Sequence, residues 1–108
     1  MALENTNEID AIGIDIITGV CTLAIIDNVD WFKEEEHLLL LQEKMNSYLR
    51  FIESGEIYSA YEPANGKQIE IKIYFAYAFP ASCQEFIQDA SNILSGAGFQ
   101  LAYQVGLV

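Results

Sequence analysis

Cations are scarce: five lysines and arginines stand against sixteen aspartates and glutamates, a formal net charge of −11. Such a balance repels phosphate backbones and leaves too few positive side chains to line a groove, so nucleic-acid binding is excluded as an expected function. Cysteine is equally sparse, and from Cys21 and Cys83 alone neither a zinc-ligand pattern nor a disulfide framework can be drawn. Both are expected to be reduced thiols. A single histidine, His37, serves the whole chain, so every Ser, Thr or Cys nucleophile would have to share it as base. No run reaches the ~18 apolar residues of a membrane span. The opening MALENTNEID also lacks the basic and apolar regions of a secretory leader, so a cytoplasmic protein with no membrane partner is expected. GKQIEIK and GAGF lack the spacing of phosphate-binding loops and read as turns.

What the chain does have is apolar mass: 52% of its 108 residues are hydrophobic and 12% aromatic. That supports a core with no need of a metal or other cofactor. A single α+β domain over residues 1–108 is expected, with residues 1–7 as a flexible arm.

Two β-branched runs, IDAIGID (9–15) and VCTLAIID (20–27), flank a turn in which Gly19 supplies a residue able to take positive φ, and together they predict a hairpin. Its tip carries Ile16 and Ile17 where turns usually carry polar residues. From Trp31 to Ser54 the period becomes helical, with Leu38, Leu41, Met45, Tyr48, Leu49 and Ile52 on one stripe. Asp30 is the expected N-cap, Glu34, Glu35 and Glu36 complement the positive end of the helix dipole, and Gly55 is the expected stop. QIEIKIYFAY alternates strictly and predicts a strand with one buried and one wet face, the latter bearing Lys72 and Tyr74. SCQE reads as a capping box that opens a second helix with Phe86, Ile87, Ala90, Ile93 and Leu94 buried, and FQLAYQV reads as a last strand. The order β-β-α-β-α-β predicts a two-layer α+β sandwich, a four-stranded and mainly antiparallel sheet with two helices on one face.

Glu34 and His37 make one Glu-x-x-His pair, the helical spacing of a metal site. A carboxylate-bridged metal centre needs a second pair, which the other helix lacks, so the acids read as a solvated helix start and His37 as a boundary residue. A metal-binding or enzymatic role for Glu34 and His37 stands as an alternative. A small-ligand pocket of Trp31, Tyr58, Tyr61 and Tyr77 is a further one. Leu39, Leu40 and Phe51 fall off the core stripe and need another cover, either the GEIYSAYEP loop or a second subunit.

The stretches IDAIGID, DWFKEEEHLLLLQEKMNSYLRFIESGEIYSAYEPANGK, IEIKIYFAY and GFQL together resemble a family of small uncharacterised bacterial proteins, a domain of unknown function, over residues 8–103. The resemblance implies no activity and no catalytic residues. In such relatives the turn after Asp15 is polar, and Ile16-Ile17 departs from that pattern.

The expected function is that of a non-enzymatic module that binds a protein partner or itself. Its expected surface is Leu39, Leu40, Phe51, Ile16 and Ile17, with Asp27, Asp30, Glu34, Glu35 and Glu36 facing a basic partner in an immunity-like version.

Overall fold

The computed structural model describes residues 3–106. Strands β1 (Ala11–Ile14) and β2 (Cys21–Asp27) form the hairpin, with Gly19 at φ 77° in its turn. Asp15 Oδ1 accepts the main-chain N–H groups of Ile17 and Thr18 across that turn, and these bonds hold its carboxyl below the usual range. The long helix α1 (Glu34–Glu53) follows, then the short helix α2 (Glu56–Ala60) and a 3-10 turn (Glu62–Ala64). Strand β3 (Ile69–Phe75), helix α3 (Ala81–Gly96) and strand β4 (Gln100–Val105) complete the order. The described residues thus hold three α-helices where two were expected, because part of GEIYSAYEP is itself helical.

The four strands lie in the order β1-β2-β3-β4. Only β1 and β2 pair antiparallel; β2 with β3 and β3 with β4 pair parallel, with Leu23 opposite Ile71 and Ile71 opposite Leu101. The sheet is therefore mixed, which corrects the mainly antiparallel expectation. Each long helix carries the chain back along the sheet, so the strand it delivers starts at the same end as the strand it left. Two crossovers of the same hand that step the same way across the sheet put both helices on one face.

That face is the core: Leu23 and Ile25 of β2, Ile71, Ile73 and Phe75 of β3, Leu41 and Tyr48 of α1, and Cys83 and Leu94 of α3 are all fully buried. The other face is open and polar, with Thr22 Oγ1 donating to Glu70 and the Lys72 ammonium 5.1 Å from the Tyr74 ring centroid. Residues 3–9 do not hang free of the fold. Leu3 is fully buried and the carbonyl of Asn5 accepts a 2.7 Å bond from Lys44 Nζ; Met1 and Ala2 of the expected arm lie outside the described residues.

Helix ends differ from the reading in two places. Asp30 accepts the Phe32 N–H at 3.0 Å as a turn before the helix, and α1 itself begins at Glu34 without a side-chain cap. Ser82 lies inside α3, which starts at Ala81 behind Pro80, and its hydroxyl donates to Glu34 rather than to its own helix. The C-terminal end of α1 is as expected: Gly55 takes φ 84° and its N–H donates to the Ile52 carbonyl.

Candidate functional site

At the carboxyl ends of β2 and β3 the fold gathers its most unusual polar residues. Asp27 ends β2, His37 lies one turn into α1, and their side chains meet at 2.6 Å with 0% and 1% exposure. The other ring nitrogen, Nδ1, faces the Asp30 carbonyl at 2.9 Å. A carbonyl only accepts, so Nδ1 carries a hydrogen, and the remaining nitrogen shares the proton of the Nε2–Oδ2 bond with Asp27. Neither nitrogen retains a lone pair free for a metal or a substrate. Burial pushes the Asp27 carboxyl above its ordinary value, while the bond from His37 works the other way. Trp31 stacks on the imidazole with centroids 3.5 Å apart and planes 14° from parallel.

Cys83, at the start of α3, is fully buried. Burial first, then the charges of Asp27 and Glu34, push its thiol up to about 12. A thiol so held is a poor nucleophile at neutral pH. Glu34 is engaged with Ser82 across the two helix starts, so the Glu-x-x-His pair is divided between two different bonds. Among the described residues no three His, Cys, Asp or Glu side chains are grouped to hold a metal ion.

Two helical turns further along α1, on the same face, a second buried polar node joins the helix to the N-terminal arm. Lys44 Nζ donates to Asp10 Oδ1 at 2.9 Å, both side chains at 1% exposure or less. Asp10 Oδ2 accepts the Ile26 N–H at 2.8 Å. The Tyr48 hydroxyl donates to the Ala24 carbonyl at 2.6 Å and accepts the Asp10 N–H at 2.8 Å. Burial pushes the Tyr48 phenol well above its usual range. The sequence does carry a signal for this node. Lys44 falls between Leu41 and Tyr48 on the apolar stripe, and a cation there demands a buried carboxylate.

The outer surface of the two long helices forms a groove of about 510 Å³. Leu38, Met45 and Leu49 of α1 and Phe86, Ile93 and Leu94 of α3 give it an apolar floor, and Glu85 and Asp89 stand on its rim with no cation among the lining residues. Ile93, expected in the core, is 63% exposed here; the buried stripe of α3 runs instead through Cys83, Ile87, Ala90 and Leu94. Both helices return between parallel strands and so run the same way, with the Glu34–Ser82 bond at their N-terminal ends.

The residues singled out in sequence do not share one surface. Ile16 and Ile17, 97% and 90% exposed, sit at the hairpin tip, at the opposite end of β2 from Asp27 and Asp30. Leu39 is exposed, while Leu40 and Phe51 are half-buried and packed on the core beside the N-terminal arm: Glu4 lines the hollow at Leu40, and Asn7 and Ile9 line that at Phe51. The arm thus borders both residues, and Glu56 of the GEIYSAYEP segment also lines the hollow at Phe51. Glu35 and Glu36 are exposed, and Glu36 lies 4.0 Å from Lys33. Trp31 precedes α1 while Tyr58 and Tyr61 follow it, ends separated by a helix about 30 Å long, so the four aromatics form no common pocket.

A family model described as a family of unknown function, DUF6572, matches residues 1–106. Comparison with curated proteins finds no match. Comparison with solved structures finds none either.

Proposed function

We propose that this chain, which belongs to the DUF6572 family of unknown function, is a non-enzymatic binding module whose groove between α1 and α3 receives a basic amphipathic helix of a protein partner. The groove itself carries the reading: an apolar floor three helical turns long, open to solvent, in which the only charged lining residues are the acids Glu85 and Asp89. A helix laid there would bury its apolar stripe on Leu38, Leu49, Phe86 and Ile93 and set flanking lysines or arginines against Glu85 and Asp89. The net charge of −11 speeds the encounter with such a partner and fits an inhibitor of the immunity kind. The non-enzymatic side of the proposal draws support from His37, whose two nitrogens are both engaged inside the fold.

The test is a titration of the labelled protein with a model amphipathic helix of leucine and lysine, followed by amide chemical shifts. Shifts centred on Leu38, Leu49, Phe86 and Ile93, lost in Ile93→Glu and weakened by salt, are the expected result. Shifts on the open sheet face, or binding that ignores both salt and Ile93→Glu, would overturn it.

A further inference from the structure

The sheet ends on β4, and nothing among the described residues pairs with its outer side. Gly106 N–H donates to the Phe75 carbonyl, so the two-residue alternation of a strand turns the main-chain groups of Ala102 and Gln104 toward β3. Leu101, Tyr103 and Val105 then turn theirs outward. Free edges of this kind are normally guarded by a charge, a proline, a bulge or short length. β4 runs six residues, QLAYQV, with none of these guards. From Ala90 to the end of the chain no side chain is charged, in a protein whose net charge is −11.

The layer above repeats the pattern. α3 is the helix that packs on β4. Its Glu85, Asp89 and Ile93 face α1 across the groove. At 100° per residue the opposite flank is Gln84, Gln88, Ser91 and Ser95, which again bears no charge. Sheet edge and helix flank thus form a continuous uncharged side on an otherwise strongly acidic molecule.

We infer that this side is where a second copy of the chain docks, β4 against β4 in antiparallel fashion about a two-fold axis through Tyr103. That register is the one in which every outward group finds a partner: Tyr103 opposite Tyr103, and Leu101 opposite Val105 twice, each as a hydrogen-bonded pair. Directly opposed residues share a face, so Tyr103 and Val105, 45% and 44% exposed in the single chain, come together with their mates on the helix side. The two α3 helices then lie on the same side of the joined sheet, with their Gln and Ser flanks turned toward one another. No acid of one copy is opposed to an acid of the other, which for two bodies of like charge is the condition for meeting at all. The surface differs from the helix groove, and the fate of either proposal leaves the other standing.

The experiment is the mass in solution by light scattering over a wide concentration range, for the full chain and for Tyr103→Lys and Ser91→Glu. The full chain is expected to weigh two chains and either variant one, a two-fold fall, with far-UV circular dichroism unchanged in Ser91→Glu, whose side chain lies outside the strand ladder. Tyr103→Cys, placed on the axis with Cα atoms about 5.5 Å apart, is expected to form an inter-chain disulfide on mild oxidation, since Cys21 and Cys83 are buried and do not compete. A full chain that stays single at every concentration, a dimer that survives both variants, or a Tyr103→Cys chain that does not cross-link would each overturn the inference. Uptake of an extended peptide of another protein by a strictly single chain would assign the edge to that partner instead.

Discussion

Replacing His37 by alanine tests the reading of the buried pair as a structural latch. The variant loses the 2.6 Å bond to Asp27, the 2.9 Å bond to the Asp30 carbonyl and the stacked face of Trp31. Asp27, at 1% exposure, keeps a 3.2 Å bond from the Val29 N–H. Removing one member of a buried ionic or strongly hydrogen-bonded pair costs about 3–5 kcal/mol, chiefly because the survivor is left desolvated. Against the ~5–15 kcal/mol that holds a domain of this size together, such a loss moves the urea midpoint far toward water. Asp27→Ala should cost a similar amount, and the double variant little more than either single one, a coupling of about 3 kcal/mol. The pH dependence has a fixed sign. In His37→Ala the burial of Asp27 still raises its carboxyl above 3.8 and the opposing bond is gone, so the folded state holds a proton that the unfolded chain releases. Stability of the variant therefore falls as pH rises from 3.8 through the raised value, and its deficit against the parent is smallest in acid. Urea unfolding followed by far-UV circular dichroism, at pH 4 and pH 7, reads both effects. A cost below about 1 kcal/mol, or strict additivity in the double variant, would show that the pair does not fasten α1 to β2.

Tyr48→Phe removes the one hydroxyl that serves both the Ala24 carbonyl and the Asp10 N–H, and should cost about 2–4 kcal/mol in urea unfolding; a loss under about 0.5 kcal/mol would mean that water replaces it. The Cys83 thiol, pushed up to about 12 from 9.0, stays protonated in the fold after the unfolded chain has ionised. Stability should thus decline as pH rises from 9 toward 12, and iodoacetamide at pH 8 should modify Cys83 only in denaturant. Alkylation of the folded chain at the denatured rate would refute its burial. Gly55→Ala forces a Cβ into φ 84° and should cost about 1 kcal/mol with no change in secondary structure, since nothing lies within 4 Å of the added atom.

Alternation made β3 legible, because Ile69, Ile71, Ile73 and Phe75 face the core and Glu70, Lys72 and Tyr74 do not. The same alternation misled about pairing. A period of two with one wet face usually marks antiparallel sheets, since parallel ones are commonly covered on both sides. Here both crossovers fall on one face, so parallel strands carry an open side, and the connection through a 20-residue helix was the better guide to direction. The His37–Asp27 bond was out of reach for another reason: it joins residues ten apart in sequence across the connection 28–33, whose path depends on how Trp31 packs, and no periodicity encodes that. Lys44 with Asp10 was within reach, as a cation on an apolar stripe and an acid between Ile9 and Ala11. The partial cover of Leu40 was not legible because the polar opening stretch gives no sign that it packs beside α1, whereas Leu39 is exposed as its place off the stripe implies.

The two proposed surfaces, though independent, would act together if both hold. α1 lies over β2 and α3 over β4, so a pair of chains joined along β4 keeps both grooves on one side of an eight-stranded sheet, free of the junction. On the proposed reading each groove takes one helix, so a partner that offers two helices at matching separation would engage the second intramolecularly, with a gain of about 10²–10⁴ over a single site. A partner or peptide with one helix gains nothing from the pairing. Tyr103→Lys should therefore weaken a tethered pair of leucine–lysine helices by about that factor and leave the single helix unchanged, whereas Ile93→Glu should weaken both. Calorimetric titration of the two ligands against the parent and the two variants separates the roles. Equal affinity of single and tethered helices for the dimeric parent would show that the grooves do not work as a pair.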